Sequence, residues 1–370
     1  MAVIAPRPAI EAAPIVEHGA FDYSELERLG LDPNDVIDFS VNSNPFGPSP
    51  HVRHAFAVVP LDRYPDRECL AARRALSQYL NAPVDQILVG NGSAELLWLA
   101  ALTYLQPGDR ALVIGPTFGE YERAAALMGA HIAHWTARRE TGFAVEPQDV
   151  ARQLSEHRPR LAFICNPNNP TGTATPLDVI AAWALDNAET LFVVDEAYLA
   201  FAPELSSTVE LVCGQSLHNI LVVRSMTKDY ALAGLRLGYA VGPAFIISAM
   251  AKARPAWSMN ALAQAACLAA LADQGHLRQT LAALREAKAD LVAGLQRLGW
   301  RPLPSAVHFF LLEVGDGAAF RRSLLRHRLQ VRDCASFGLP EYVRIATRRP
   351  AENARLLQAL QAHGQDFDER

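Results

Sequence analysis

Ile220-Leu221-Val222-Val223-Arg224-Ser225-Met226-Thr227-Lys228, with Gly234-Leu235-Arg236-Leu237-Gly238-Tyr239 just beyond it, is the stretch from which the rest of the chain can be read. Its apolar start is too short for a helix and too continuous for a half-exposed strand, so it reads as a strand buried on both faces. The strand is followed by two hydroxyls (Ser225, Thr227), an amine (Lys228) and, eight residues after the lysine, the guanidinium of Arg236. An amine forms an imine with an aldehyde, while hydroxyls and a guanidinium suit a phosphate ester. Pyridoxal 5'-phosphate (PLP) carries both groups and is held by proteins through a lysine. An isolated Ser-x-x-Lys is more often a surface lysine after a strand; the reading rests on pieces of the same site elsewhere in the chain.

Working outward, short apolar runs recur at 87–89, 111–114, 161–165 and 191–194, each bounded by polar, Gly or Pro residues. Amphipathic segments at 94–105, 121–128 and 177–186 lie between them. That alternation predicts a wound α/β layer with a mostly parallel sheet. Past about residue 258 the texture changes: 261–271 and 276–298 are Ala/Leu-rich helices, 309–314 and 342–346 read as strands around a helix near 318–327, and 352–363 closes the chain. Together these predict a smaller α+β unit. The expected division is an N-terminal arm and part of the small domain over 1–40, a large domain over 41–270, and a small C-terminal domain over 271–370.

Half of the 370 residues are hydrophobic and a fifth charged, as in a soluble globular protein. A net charge of −5 gives no footprint for nucleic acid or an anionic membrane. No run approaches about 18 apolar residues, so no membrane span is predicted. The first twenty residues interrupt their apolar part with prolines and do not read as a signal peptide, which predicts a cytoplasmic protein. The five cysteines are scattered without metal-ligand spacing and read as buried thiols, with no metal.

In wound sheets functional groups gather where strands end. After 87–89 comes Gly90-Asn91-Gly92-Ser93-Ala94-Glu95, a helix start whose N–H groups suit a phosphate, although Ser93 serves equally as a plain N-cap. After 111–114 comes Gly115-Pro116-Thr117-Phe118-Gly119-Glu120-Tyr121, where Phe118 is either a core residue of a tight turn or a ring that stacks on another. Asn166-Pro167-Asn168-Asn169-Pro170-Thr171-Gly172 follows 161–165, and Asp195-Glu196-Ala197-Tyr198 follows 191–194. A carboxylate at the end of a buried strand needs a partner, and a protonated pyridine nitrogen would be one.

The motif set NPNNPTG (166–172), VVDEAY (193–198), SMTKDYALAGLRLGY (225–239) and YVRIATRRP (342–350) resembles the fold-type I PLP enzymes of the class I/II aminotransferase group over nearly the whole chain. The resemblance implies a large PLP-binding domain with a mostly parallel seven-stranded sheet between helices, plus a smaller α+β C-terminal domain. It implies that Lys228 binds the cofactor covalently and moves protons, and that Asp195 pairs with the ring nitrogen. Asn169 and Tyr198 would bond the ring hydroxyl, with Phe118 stacked on the ring. Gly92, Ser93, Ser225, Thr227 and Arg236 would cradle the phosphate. Tyr64 would reach the phosphate of a neighbouring subunit, making a homodimer. Arg332 and Arg344 would bind substrate anions.

Within that group the chain is similar to histidinol-phosphate aminotransferase and to threonine-phosphate decarboxylase. His18-Gly19 and Asp38-Phe39-Ser40-Val41-Asn42-Ser43-Asn44-Pro45 look like the decarboxylase pattern, although Ala20 and His308 depart from it. The expected activity is therefore decarboxylation of L-threonine O-3-phosphate in cobalamin biosynthesis, a lyase reaction with His18, Asn42, Arg332 and Arg344 on the phosphorylated amino acid. The alternative is transamination of histidinol phosphate or a related amino acid with 2-oxoglutarate.

Overall fold

The computed structural model describes residues 4–13, 15–214 and 217–367. After a short strand Ile37–Asp38 (β1), the runs predicted from periodicity are all strands: Ile87–Asn91 (β2), Arg110–Gly115 (β3), Leu161–Cys165 (β5), Leu191–Asp195 (β6) and Ile220–Ser225 (β7). With His131–Thr136 (β4) and Leu237–Val241 (β8) they form one seven-stranded sheet in the order β2-β8-β7-β6-β5-β3-β4. Pairings are parallel except those of β8, which runs antiparallel between β2 and β7. Alternate side chains of the central strands enter separate cores. Ala162, Ile164, Phe192 and Val194 join one, and Leu161, Phe163, Leu191 and Val193 the other. A strand with apolar layers on both sides has no polar face, which is why these runs do not alternate.

Periodicity missed β4 and β8 for different reasons. β4 is a half-exposed edge strand, paired with β3 alone. β8 is interrupted by Gly238, which pairs with Gly90 on one side and Ser225 on the other. A Cβ at Gly238 would stand 2.5 Å from Ser93 N and 2.9 Å from Arg224 O, so only glycine fits. That close approach gathers Gly92, Ser93, Ser225 and Arg236 at one corner of the sheet.

The C-terminal part holds Phe309–Glu313 (β9), Leu329–Gln330 (β10), Arg332–Asp333 (β11) and Tyr342–Ala346 (β12). Strands β11-β12-β9 make an antiparallel sheet, and β1 joins β10 in parallel, so the N-terminal segment is held by the C-terminal part of the chain. The helix Gln274–Arg297 connects the two sheets. Its Leu277 enters a core of the large sheet, Leu284 the cluster around Tyr198, and Leu291 and Leu295 the small-sheet core. This helix starts two residues before the expected 276, because the Asp273 side chain accepts from His276 N at 3.1 Å and caps it. Among the described residues no helix is long and apolar enough to cross a membrane.

Candidate active site

The carboxyl ends of β5, β6 and β7 face a cavity of about 620 Å³, closed on its other side by Arg344 of β12 and the segment after β1. Lys228 lies in it just past β7. Burial lowers its amine to about 8, with Arg344 and Arg236 adding to the effect and Asp195 opposing it. An amine that sheds its proton near neutrality is a nucleophile and a proton carrier.

Asp195 ends β6 and is 4% exposed. Its Oδ2 accepts from Tyr121 Oη at 2.8 Å and its Oδ1 from Ala197 N at 3.0 Å. Burial pushes its carboxyl up to about 6 against those two bonds. Lys228 attracts its charge only weakly beside the cost of burial, and a protonated ring nitrogen would offset that cost. Burial also pushes the Tyr198 phenol up to about 12, with Arg344 opposing, so the hydroxyl stays a neutral donor.

At the opposite corner the helix Gly92–Tyr104 begins with Gly92 at φ 80°. A Cβ on Gly92 would lie 2.8 Å from Arg236 Nη2, so the guanidinium rests against bare backbone. Ser225 Oγ and Thr227 Oγ1 lie 2.6 Å apart beside it. Helix N–H groups, hydroxyls and a guanidinium in one concave corner form an anion cradle. Cradle, amine and buried carboxylate match the phosphate, aldehyde and ring nitrogen of PLP, and the residues therefore fit that cofactor. Phe118 lines the cavity between them, its ring 5.7 Å from that of Tyr121.

The remaining wall is cationic and incompletely bonded. Arg344 is 4% exposed; its Nη1 donates to Asn169 Oδ1 and its Nη2 to Ser40 O, while Nε has no partner. Asn42 is 1% exposed and lines the cavity beside Tyr198, and among the described residues neither of its amide atoms has a partner in good hydrogen-bond geometry. Buried polar atoms left in this way are what a ligand satisfies. His18 enters from the N-terminal segment, with Nε2 3.1 Å from Glu120 Oε1.

Of the site residues named from the sequence, all line this cavity or touch a residue that does, save Tyr64; Arg332 reaches it only as the strand partner of Arg344. Arg332 donates to Glu17 O at 2.9 Å and Ser336 Oγ at 2.6 Å and lines a neighbouring cavity behind His18. Tyr64 is 77% exposed and stacks on Trp257 at 4.7 Å. Sequence reasoning passed over Tyr121, Glu120 and Trp98. The signal for Tyr121 was its place three residues after Phe118, across a turn in which Tyr121 N donates to Phe118 O at 3.3 Å and the two rings lie 5.7 Å apart.

Residues 34–360 match the family Aminotransferase class I and II. The chain is 40% identical to histidinol-phosphate aminotransferase of Symbiobacterium thermophilum over 90% of its own length and 92% of that protein. The crystal structure of histidinol-phosphate aminotransferase from Sinorhizobium meliloti in complex with pyridoxal-5'-phosphate is similar at a TM-score of 0.87 and 25% identity, covering 99% of each chain. L-threonine-O-3-phosphate decarboxylase from Porphyromonas gingivalis is similar at a TM-score of 0.77 and 27% identity, over 88% of this chain and 97% of that one.

These relationships overturn the expected decarboxylation of L-threonine O-3-phosphate, and with it the lyase and the place in cobalamin biosynthesis. The physical reason lies in the N-terminal run that suggested it. Asp38 accepts from Ser40 N at 2.8 Å and Ser40 Oγ at 2.6 Å, and Asn44 donates to Asp229 O at 3.0 Å and Thr280 Oγ1 at 2.9 Å. Asp38 and Asn44 therefore hold neighbouring segments in place, while His18, Gly19, Ser40, Val41 and Asn42 of that pattern line the cavity, so part of it reports scaffold and not substrate. With PLP as its cofactor, this chain belongs to the class I and II aminotransferase family.

Proposed function

We propose that the protein transfers the amino group of histidinol phosphate to 2-oxoglutarate. The observation that carries this reading is the likeness to the S. thermophilum enzyme across 90% of the chain, and the gathering of Lys228, Asp195, Tyr198, Asn169 and Arg236 in one cavity supports it. PLP supplies the carbonyl that takes up the amino group and the ring that absorbs the electrons of the broken bond.

The protein's own groups do the rest. Gly92, Ser93, Ser225, Thr227 and Arg236 would hold the cofactor phosphate. Asp195, held by Tyr121, would keep the ring nitrogen protonated. Asn169 and Tyr198 would bond the ring hydroxyl, and Phe118 would pack on the ring. Lys228 Nζ, its proton loosened by burial, is the group that would take the proton from the substrate α-carbon and hold it. Arg344 and Asn42 receive an anionic group of whichever substrate is bound. A guanidinium accepts phosphate and carboxylate equally well, which lets one wall serve donor and acceptor in turn. Arg332 reinforces that wall from behind, and His18 borders it.

The working form on this reading is a homodimer in which Tyr64 of a second copy completes the phosphate site; its exposure beside Trp257 supports that role. Free, mostly buried thiols suit a reducing compartment such as the cytoplasm. The test is spectroscopic. Histidinol phosphate alone should bleach the visible absorbance of bound PLP, and 2-oxoglutarate should then restore it. A cofactor spectrum indifferent to histidinol phosphate would refute the proposal.

A further inference from the structure

We infer that Glu120, Trp98 and Phe118 form a subsite for an imidazole ring, and that in the free protein the chain's own His18 holds it. The inference rests on histidinol phosphate being the amino donor. Glu120 opens the helix Glu120–Leu127, lines the catalytic cavity and is 5% exposed. Its Oε2 accepts from Trp98 Nε1 at 2.8 Å, and its Oε1 accepts from Arg123 Nη1 at 3.3 Å and faces His18 Nε2 at 3.1 Å. Burial opposes its charge, but the bonds from His18 and Trp98 outweigh burial and hold the carboxyl below its usual range. It is therefore a fixed, acceptor-only anion in the wall.

The ring of His18 leans on Phe118, with centroids 5.6 Å apart and planes tilted by 54°. The corner thus already binds an imidazole, one nitrogen toward a carboxylate and the ring tilted against an aromatic one. The hold on His18 is light, since its side chain remains 48% exposed. The other carboxylates of the cavity are engaged elsewhere, Asp195 by Tyr121 and Ala197 and Glu95 by Asn91 N at 2.6 Å and Ser258 Oγ at 3.3 Å. An imidazole arriving on a donor is the same chemical group as the His18 side chain and can make the same contacts. It also brings an anion for Arg344, so it competes with two attachments against one.

The experiment uses the PLP-loaded full chain, His18→Ala and Glu120→Gln, with glutamate as the donor that lacks an imidazole. His18→Ala removes the internal competitor and should lower KM for histidinol phosphate about threefold or more, because the competent fraction of free sites rises. Glu120→Gln should raise that KM about tenfold through loss of a charge-assisted bond, while KM for glutamate moves less than about twofold. A rise in histidinol phosphate KM on His18→Ala would make His18 a substrate ligand and overturn the inference. So would an equal rise for both donors on Glu120→Gln, which would mark a merely structural residue. In the wild-type protein, added imidazole should shift the NMR signal of the His18 ring, and a signal unmoved at saturation contradicts the subsite. If imidazole displaces His18 but histidinol phosphate is not transaminated, the subsite stands and the donor assignment fails.

Discussion

The two ends of the cavity are assembled in different ways. At the cofactor end, groups sit within a few residues of a strand terminus, and several of their bonds are local: Ala197 N to Asp195 and Ser225 to Thr227 each span two residues. At the substrate end the bonds join distant segments. Arg344 reaches Asn169 across 175 residues and Ser40 across 304, Arg332 reaches Glu17 across 315, and His18 meets Glu120 across 102. On the proposed roles, the cofactor groups contributed by one chain gather around one sheet, whereas the substrate groups depend on how the N-terminal segment and the small sheet settle against it.

The sharpest way to break the cofactor end is Lys228→Ala. Turnover should fall by at least about 10⁴-fold, since the covalent attachment and the proton carrier are lost together, while PLP still binds through the phosphate cradle. Near-normal turnover would remove Lys228 from its assigned role. Arg344→Lys probes the substrate end. A lysine cannot keep the contacts to Asn169 and Ser40 and also present a bidentate face, so KM should rise roughly 10–100-fold with the cofactor spectrum unchanged. A spectrum that changes as much as KM would mean the two ends are not separable.

Asp195→Asn should separate stability from function. In the cofactor-free protein the Asp195 carboxyl is held up at about 6, above the usual 3.8. Its folded-state preference for the proton is fully felt below about 3.8 and is lost as pH rises through about 6. The asparagine variant escapes that loss. Without cofactor it should be more stable than wild type at pH 7, by on the order of 1–3 kcal/mol, and the two should converge near pH 4 in denaturant titrations. Lys228 behaves in the opposite sense: its amine is depressed to about 8, so its penalty is full below that value and fades toward 10.5. The smallest effect is expected of Tyr64→Phe, which should leave chain stability within about 0.5 kcal/mol because Tyr64 is exposed, while weakening PLP retention by the dimer. Equal PLP retention in both proteins would remove the cross-subunit role.

What could be read in the sequence follows the same division. β5, β6 and β7 were legible because strands buried on both faces are short unbroken apolar runs, and Asp195 and Lys228 were legible because they end or directly follow such runs. β8 was not, since a glycine demanded by contact with Ser93 breaks its pattern. Tyr121 was hidden because its hydroxyl serves Asp195 across 74 residues. The N-terminal run misled for a related reason: Asp38 and Asn44 bond to backbone and helix, and in the bare sequence a scaffold bond is indistinguishable from a ligand.

The most direct measurement is the product balance of purified, PLP-loaded protein given histidinol phosphate and 2-oxoglutarate. Repeated turnover with one glutamate formed per histidinol phosphate consumed, and no carbon dioxide, is the predicted result. No glutamate at all, with carbon dioxide released from an amino acid in the absence of any acceptor, would contradict it.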